Sequence, residues 1–342
     1  MLSKIIEKAE RLAWLVRKGR LPQAVGYVTQ LLFERSLYAD HLARYLATEY
    51  LPVTVEGNLM YLSPTDTGIS SDLLHFGTRE ATATERLRRE FIRLHRDVSD
   101  PVVLDIGAHR GYYAFQAADV LAGGTVYAFE PDPTNFEALK RGIEANGFGN
   151  VRAERCAVGD ADTTAELKTS VCSNSHTLGS IPDGVEWKYR GETVETKVQR
   201  LDSYLSEAGL SPEDVDLVKI DVEGHETAVF EGLTELLEAD SELVVFVELH
   251  PHRADPSELR SLVDAISEAG FELVHAASSA DSDIPDYDAV RRHLDTRDGR
   301  HTVGLIARRS RADTAVGEAD RGVETDASAE ASPDGIVRQR GA

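Results

Sequence analysis

Short apolar runs alternate with amphipathic stretches over much of the chain, from about residue 102 to residue 307. Continuous apolar runs are typical of strands that are buried on both faces, and helical patterns separate most of them. The predicted strands are Val102–Ile106, Thr125–Glu130, Val151–Val158, Leu217–Asp221, Leu243–Leu249, Phe271–Ala276 and His301–Ala307. The pattern predicts a parallel α/β sheet with right-handed crossovers, in which the last two strands pair antiparallel at an edge.

Two flanking segments differ from this pattern. Apolar residues recur at helical spacing from Leu2 to Val16, and a second helical stretch runs from Gln23 to about Ala47, so we predict a helical extension over residues 1–50. The main domain is expected at 51–308, with a cofactor-binding core at about 85–276. From 309 to 342 the chain lacks aromatic residues and is rich in small and acidic ones, which is typical of a disordered acidic tail.

A polar insertion, residues 162–198, interrupts the apolar pattern. Two alternating runs in it predict a hairpin that lies over the crevice at the sheet edge. Its Ser173–His176 segment carries hydrogen-bond donors and acceptors suited to a polyhydroxylated molecule. Because loops on an α/β scaffold set substrate choice, we expect this insertion and the Thr65–Asp72 loop to select the substrate.

Composition excludes several classes of protein. The 342 residues include 59 Asp and Glu against 37 Lys and Arg, for a net charge of −22, which argues against a nucleic-acid partner. No run reaches the roughly 18 to 20 apolar residues of a membrane helix, and charges within the first helix argue against a signal peptide. Two cysteines, Cys156 and Cys172, indicate a reducing compartment, so a cytoplasmic location is expected.

The distribution of charge carries further information. An acidic, lysine-poor chain would repel itself in dilute buffer but suits a salty cytosol, so we predict a halophilic, archaeal source. The alternative is an ordinary acidic protein from a high-GC genome. The first 36 residues are basic instead. Their amphipathic helix, which contains Trp14, predicts peripheral contact with an anionic membrane, self-association through residues 1–47, or a helical cap on the main domain.

The sharpest motif follows the first strand of the predicted sheet. Asp105 lies at the end of that strand, and Gly107 and Gly111 lie in the turn before the next helix, where glycine lets the backbone approach a ligand. Glu130, at the tip of the second strand, is placed to bind both hydroxyls of a ribose. The glycine spacing differs from that of dinucleotide folds, and the Asp105 carboxylate would repel a pyrophosphate. The motif favours S-adenosylmethionine (SAM) over NAD.

Several segments together resemble the FkbM family of SAM-dependent methyltransferases. They are DIGAHRGYYAF from Asp105, YAFEPDPTNFEALKRGI from Tyr127, and above all DLVKIDVEGHETAVFEG from Asp216, and the resemblance extends over about 53–307. It implies a Rossmann-like class I methyltransferase fold with a seven-stranded, mostly parallel sheet and an antiparallel edge strand. It also implies O-methylation of sugars, glycans or other hydroxylated small molecules.

The resemblance assigns roles to individual residues. Around the methionine part and the ribose and adenine of SAM it places Asp105, Gly107, Ala108, His109, Gly111, Glu130 and Asp160. At the tips of the fourth and fifth strands, where the methyl group meets its acceptor, it places Asp221, Glu223 and, beside Glu248, His250. His109, Arg110 and His225 depart from the residues usual in the family.

Methyl transfer to a hydroxyl requires alignment and a group that takes the proton. We expect Asp221 and Glu223 to be catalytic first and His250 next, with a hydroxyl or a hexuronic acid carboxyl as the acceptor. The same residues with Glu226 would also suit Mg²⁺, but the carboxylates have duties without it, so no metal is predicted.

Three rival functions are weaker. An amino-methylating nucleic-acid enzyme would carry an Asn/Asp-Pro-Pro-aromatic turn after the fourth strand, and KIDVEGHE has none. An NAD-dependent oxidoreductase is disfavoured by the glycine spacing. A non-catalytic SAM-binding assembly module is disfavoured because Asp105, Glu130, Asp221 and Glu223 are all present.

Overall fold

The structure is a computed structural model that describes residues 2–33, 38, 49–66, 68–181, 186–279, 282–295 and 301–310. Its helices are α1 (Leu2–Arg17), α2 (Leu21–Phe33), α3 (Ile69–Phe76), α4 (Ala81–Asp97), α5 (Tyr112–Val120), α6 (Pro133–Asn146), α7 (Leu201–Ala208), α8 (Glu226–Glu231), α9 (Thr234–Glu238), α10 (Pro256–Glu268) and α11 (Tyr287–Asp295). Its strands are β1 (Leu51–Val55), β2 (Asn58–Leu62), β3 (Val102–Ile106), β4 (Thr125–Phe129), β5 (Val151–Glu154), β6 (Ala157–Val158), β7 (Thr163–Ser170), β8 (Tyr189–Gln199), β9 (Leu217–Ile220), β10 (Leu243–Leu249), β11 (Glu272–Ser278), β12 (Ser282–Asp283) and β13 (Val303–Arg309). The predicted acidic tail beyond residue 310, and most of the predicted helix beyond residue 33, lie outside the described residues.

The main sheet has the strand order β12-β11-β13-β10-β9-β3-β4-β5. Strands β5, β4, β3, β9 and β10 are parallel, and β13 runs antiparallel to both β10 and β11. The α/β class and the mostly parallel sheet of seven main strands are therefore confirmed, as is the antiparallel pairing of the last two. Strand β13 inserts between β10 and β11, and the two-residue β12 extends the edge.

Burial explains why the apolar runs are continuous. Every residue of β3, β9 and β10 is buried. Alternate residues of β3 belong to two separate hydrophobic clusters, so that Leu104 packs on one face of the sheet and Val103 on the other. Helices cover both faces, and each large apolar side chain buried in this way contributes about 1.5–3 kcal/mol.

The predicted strand Val151–Val158 is two strands in the structure. Strand β5 completes the main sheet, whereas β6 pairs with β8 in a separate sheet of order β6-β8-β7. Strands β7 and β8 form the expected antiparallel hairpin. The chain leaves the main sheet after Glu154 because Ala157 and Val158 pair with the end of that hairpin.

The first two helices pack on the main domain as a cap. Leu15 of α1 is fully buried in a small cluster that includes Trp14 and reaches Phe76 of α3. Arg20 donates hydrogen bonds to the carbonyl groups at the end of α3. Among the described residues, no helix is both long and apolar enough to cross a membrane.

Candidate active site

The loop between β3 and α5, residues 107–111, is called the cofactor loop here and is folded tightly against the ends of two neighbouring strands. Gly107 has φ 78°, and a Cβ on it would lie 1.9 Å from the carbonyl oxygen of Asp221. The backbone N–H groups of Gly107 and Ala108 donate to the carbonyl of Phe129 at 3.0 and 2.9 Å. Gly111 has φ 92°, and a Cβ there would lie 2.5 Å from the Phe115 ring. Only glycine fits these two positions.

Glu130 follows β4 and lines a crevice that this loop forms with the ends of β4 and β9, with β6 and with residues 173–178 of the insertion. Its carboxylate accepts hydrogen bonds from the backbone N–H of His109 at 2.8 Å and of Asp132 at 2.9 Å. Burial raises the pKa of Glu130 to about 8. Each carboxylate oxygen retains acceptor capacity, so further donors from a ligand would stabilise the charged form.

Asp105 has a different position from the one that the resemblance implies. It does not line the crevice; it is buried beneath the loop, with Oδ1 2.9 Å from Nζ of Lys219. Lys219 also donates to the carbonyl of Gly107 at 2.9 Å. Burial alone would lower the pKa of Lys219, but Asp105 and Asp221 outweigh it and raise the pKa above its ordinary value. The pair supports the loop from below, and direct contact between Asp105 and SAM stays a prediction.

The structure brings the three expected catalytic side chains together. Asp221 and Glu223 follow β9 and line the crevice. Nε2 of His250 lies 3.9 Å from Oδ1 of Asp221 and 3.6 Å from Oε2 of Glu223. His250 itself is only 2% exposed and lies behind the two carboxylates.

Glu226 is a site residue whose role the sequence did not reveal. It is fully buried and accepts hydrogen bonds from Nδ1 of His250 at 2.7 Å and from the backbone N–H of Gly224 at 2.9 Å. Burial alone would lower the pKa of His250, but Glu223 and Glu226 raise it well above its ordinary value. These neighbours favour the protonated form of His250, and a protonated ring orients carboxylates rather than accepting a proton.

Glu223 is held from several sides. Its backbone has φ 53°, in the left-handed region that is strained for a side chain of this size. Nε of Arg253 lies 2.9 Å from Oε2 of Glu223, and Thr177 donates to the Glu223 carbonyl at 2.8 Å. Burial raises the pKa of Glu223 above its ordinary value, although His250 and Arg253 oppose the shift. These contacts fix the side chain at the crevice wall.

The same cluster has the geometry of a cation site. Ligand atoms of Asp221, Glu223 and His250 all lie within 4.8 Å of one another. Arg253 already supplies positive charge beside Glu223, and the raised pKa of His250 favours a second cation there, so the carboxylates have partners without a metal. The absence of a metal stays a prediction, and activity that survives EDTA would support it.

The insertion closes one side of the crevice, but its polar groups bind the protein. Ser173 donates to Oδ2 of Asp66 at 2.7 Å, and its Oγ lies 2.8 Å from Nε2 of His109. Asn174 accepts from the backbone of Ile69, and His176 accepts from the backbone of Ser170. Burial alone would raise the pKa of Asp66, but hydrogen bonds from Ser173 lower it to about 2. The segment therefore latches the hairpin to the cofactor loop. Ser173, Asn174 and His176 also line the crevice, and their contact with the acceptor stays a prediction.

Three other residues that the resemblance singled out differ in whether they line the crevice. Asp160 is exposed and does not line the crevice, where Ala157 and Val158 do. Arg110 is buried away from it and donates to the carbonyl of Tyr61. His225 is half-buried at the start of α8 and lines the crevice.

The sequence itself then places the chain among known proteins. Residues 105–273 match the family profile of the methyltransferase FkbM domain. The chain contains an FkbM methyltransferase domain. It is 28% identical over 180 residues to the 2-O-methyltransferase NoeI of Sinorhizobium fredii, covering 47% of this chain and 68% of that protein. It is 29% identical over 203 residues to the 31-O-demethyl-FK506 methyltransferase FkbM of Streptomyces tacrolimicus, covering 51% and 73%.

Other similarities are more partial. Methyltransferase 1 of Beauveria bassiana is 26% identical over 153 residues, and the match spans 59% of its length and 39% of this chain. Among solved structures, M. jannaschii TYW2 in complex with AdoMet superposes with a TM-score of 0.38 at 14% identity, over 77% of this chain and 87% of that one.

The FkbM domain makes the chain a SAM-dependent methyltransferase, and SAM rather than NAD is its cofactor. The crevice fits this molecule. Apolar side chains that include Val158, Leu167 and Leu178 line the crevice and suit packing against a flat base. The buried Glu130 offers acceptors for ribose hydroxyls, and the carboxylates of Asp221 and Glu223 suit a sulfonium.

Proposed function

We propose that the protein methylates a hydroxyl oxygen of a small-molecule acceptor, with a sugar or glycan as the preferred class. The observation that carries this proposal is the position of Asp221, whose partly exposed carboxylate lines the crevice and whose backbone carbonyl lies against Gly107 of the cofactor loop. Bound SAM supplies an electrophilic methyl group on a sulfonium sulfur. Two relatives whose names state O-methylation support the choice of oxygen.

Each residue of the cluster has a separate task in this proposal. Asp221 accepts the proton of the acceptor hydroxyl, because its side chain is 25% exposed and reaches the crevice. Glu223 completes the anionic wall. His250 is a positioning residue, whose imidazolium holds both carboxylates while Glu226 fixes its ring.

The cofactor loop has the second set of tasks. Gly107, Ala108, His109 and Gly111 would hold the methionine part of SAM, and Glu130 its ribose. Asp105 acts from below through Lys219. Contact between Asp160 and the adenine needs a movement of an exposed side chain.

Labelled SAM tests the proposal directly. The protein is incubated with methyl-labelled SAM and separate fractions of total glycans, lipids and small molecules. We expect label in an alkali-stable ether on a sugar. Label in an alkali-labile ester would show a carboxyl acceptor instead. SAM binding without transfer to any fraction would favour a non-catalytic assembly module.

His250→Asn tests the positioning role through pH. An amide keeps a donor for Glu226 but removes the charge that faces Asp221 and Glu223. Because the folded-state pKa of His250 is raised, its stabilisation is complete below the unfolded pKa of about 6.5 and is lost as pH rises through the folded value. We expect the variant to lose about 3–5 kcal/mol of unfolding free energy at pH 6 and less at higher pH.

Urea unfolding between pH 6 and 9.5 measures this difference. His252→Asn is the matched control, because burial lowers the pKa of His252 to about 4 and the ring is neutral over that range. Above about pH 7.5 the control should change stability by a constant amount, because His252 is then neutral in both the folded and the unfolded protein. A constant difference for His250→Asn as well would contradict the imidazolium assignment.

Salt adaptation is a further proposal, based on the charge of −22. Screening is nearly complete at molar salt, where the Debye length is about 3 Å. We therefore expect the melting temperature to rise between 0.1 M and 2 M KCl, as measured by calorimetry. The rise should persist with SAM present. An unchanged or falling melting temperature would contradict adaptation to a saline, archaeal cytoplasm.

The α1–α2 cap carries a proposal of its own. Val16, Leu21 and Val25 are 52–59% exposed although they are apolar. We infer that this surface contacts an anionic membrane or a second copy of the chain. Sedimentation with anionic vesicles and light scattering distinguish the two partners, and a monomer that binds no vesicle would contradict both.

A further inference from the structure

A second cavity lies beside the crevice, at the same carboxyl edge of the sheet. Its volume is about 630 Å³, within the about 300–1,000 Å³ of small-molecule sites. Helices α1 and α3, the segment 78–83 and the ends of β10, β11 and β13 form its walls. Arg79 lines both this cavity and the crevice.

We propose that this second cavity is the acceptor site and that it takes an uncharged or amino-bearing sugar. The proposal rests on the function proposed above and deepens it. It also gives the N-terminal cap a role, because α1 forms part of the binding wall.

Aromatic rings form one side of the cavity. Trp14 of α1 and Phe76 of α3 pack with ring centroids 6.2 Å apart. Phe246 of β10 also lines the cavity. The Arg20 guanidinium lies 5.2 Å from the Trp14 ring and steadies it. The C–H faces of a sugar ring pack well on aromatic surfaces of this kind.

Charged side chains, most of them acidic, form the other side of the second cavity. The carboxylates are Asp72, Glu80, Glu248 and Asp283, and the cations are Arg11 and Arg79. Both cations are paired, Arg79 with Glu80 at 2.8 Å and Arg11 with Asp72 at 3.5 Å. Carboxylates accept hydrogen bonds from sugar hydroxyls and attract an amino group. Burial raises the pKa of Glu248 to about 8, but the three other carboxylates still outnumber the two cations. The remaining negative charge repels uronates and sugar phosphates.

A buried hydroxyl group at the end of β11 indicates that the second cavity takes a polar ligand. Ser278, which ends β11, is 5% exposed, and its Oγ has no hydrogen-bond partner among the residues that the structure describes. Buried hydroxyls normally have partners, and a ligand in the cavity would supply one.

The cavity is also next to the reacting groups. Strands β9 and β10 are paired in parallel register, with Ile220 opposite Val247. Asp221 and Glu248 therefore follow at the same level, and the charge of Arg79 acts on both. A sugar in the cavity would reach Asp221 past Arg79.

Tryptophan fluorescence tests occupancy without any methyl transfer. The chain has two tryptophans, and Trp187 is 60% exposed, so Trp187→Phe leaves Trp14 as the reporter. The variant is titrated with methyl α-glucoside, methyl α-mannoside, methyl α-fucoside and glucosamine, and with glucuronate and glucose 6-phosphate, in the presence of S-adenosylhomocysteine. We expect a saturable change with at least one neutral or amino sugar. No change with any of these four, or a stronger change with an anionic sugar, overturns the proposal.

A filled cavity provides the second test. Thr82 lines the cavity at the exposed start of α4, so Thr82→Phe adds bulk there with little strain. Thr234→Phe, at the exposed start of α9, is the matched control. We expect Thr82→Phe to lower transfer to the acceptor fraction at least tenfold with SAM affinity unchanged, and the control to match the parent. Equal transfer by both variants overturns the proposal, whereas a parent without transfer contradicts the function and leaves the Trp14 titration to decide the cavity.

Discussion

Asp221→Asn is expected to lower kcat by about 10²–10⁴-fold, the usual contribution of a general base. Asn has the same shape but cannot accept the proton of a hydroxyl. The cofactor loop contacts Asp221 through the backbone carbonyl that faces Gly107, and this contact survives the substitution. SAM affinity should therefore change by less than about tenfold, the effect of 1.4 kcal/mol.

Two measurements separate the effects on catalysis and on binding. Steady-state transfer to the acceptor fraction gives kcat, and calorimetric titration gives the affinity for SAM. Asp119→Asn is the matched control, because Asp119 is exposed on α5 and lines neither cavity. Full turnover by Asp221→Asn would remove Asp221 from the mechanism. If Asp221→Asn loses both SAM binding and turnover, Asp221 has a role in the cofactor site instead.

The fold was largely predictable because buried parallel strands leave an unambiguous trace in the sequence. Val102–Ile106 is apolar except for Asp105, and both faces of that strand are covered. The break between β5 and β6 was not predictable from local pattern, because both halves resemble strands. Pairing of Ala157 with Val198, far along the chain, determines where the main sheet ends.

The candidate site was predictable where a strand tip defines it. Asp221, Glu223 and His250 follow two adjacent parallel strands, so the topology alone brings them together. Arg253 and Arg79 lie in loops, and no spacing in the sequence predicts the contacts that their side chains make.

The sequence also carries a signal for the buried ion pair beneath the cofactor loop. Lys219 interrupts the apolar run of β9, and a lysine in a buried strand requires a buried anion. Asp105, at the end of β3, is that anion, since β3 and β9 pair with Asp105 opposite Lys219. A carboxylate that already has a buried cation is less available to the amino group of a cofactor.

Lys219→Met is expected to destabilise the protein by about 3–5 kcal/mol, because it leaves Asp105 as an uncompensated buried charge. Asp105→Asn should also destabilise, since Lys219 then lacks its partner. Chemical denaturation of both single variants measures the two losses. Lys140→Met, on the exposed face of α6, is the control and should stay within about 0.5 kcal/mol of the parent.

The double variant decides what the pair does. If the ion pair accounts for the losses, the double variant Asp105→Asn with Lys219→Met should lose less unfolding free energy than the two single variants lose together. The difference, which is the coupling energy, should be about 0.5–3 kcal/mol. Lys219 also donates to the Gly107 carbonyl, and neither Met nor Asn restores that hydrogen bond. SAM affinity should therefore stay low in the double variant although its stability recovers. Recovery of SAM affinity together with stability would mean that the pair serves the fold alone, and strictly additive losses would mean that the two side chains act independently.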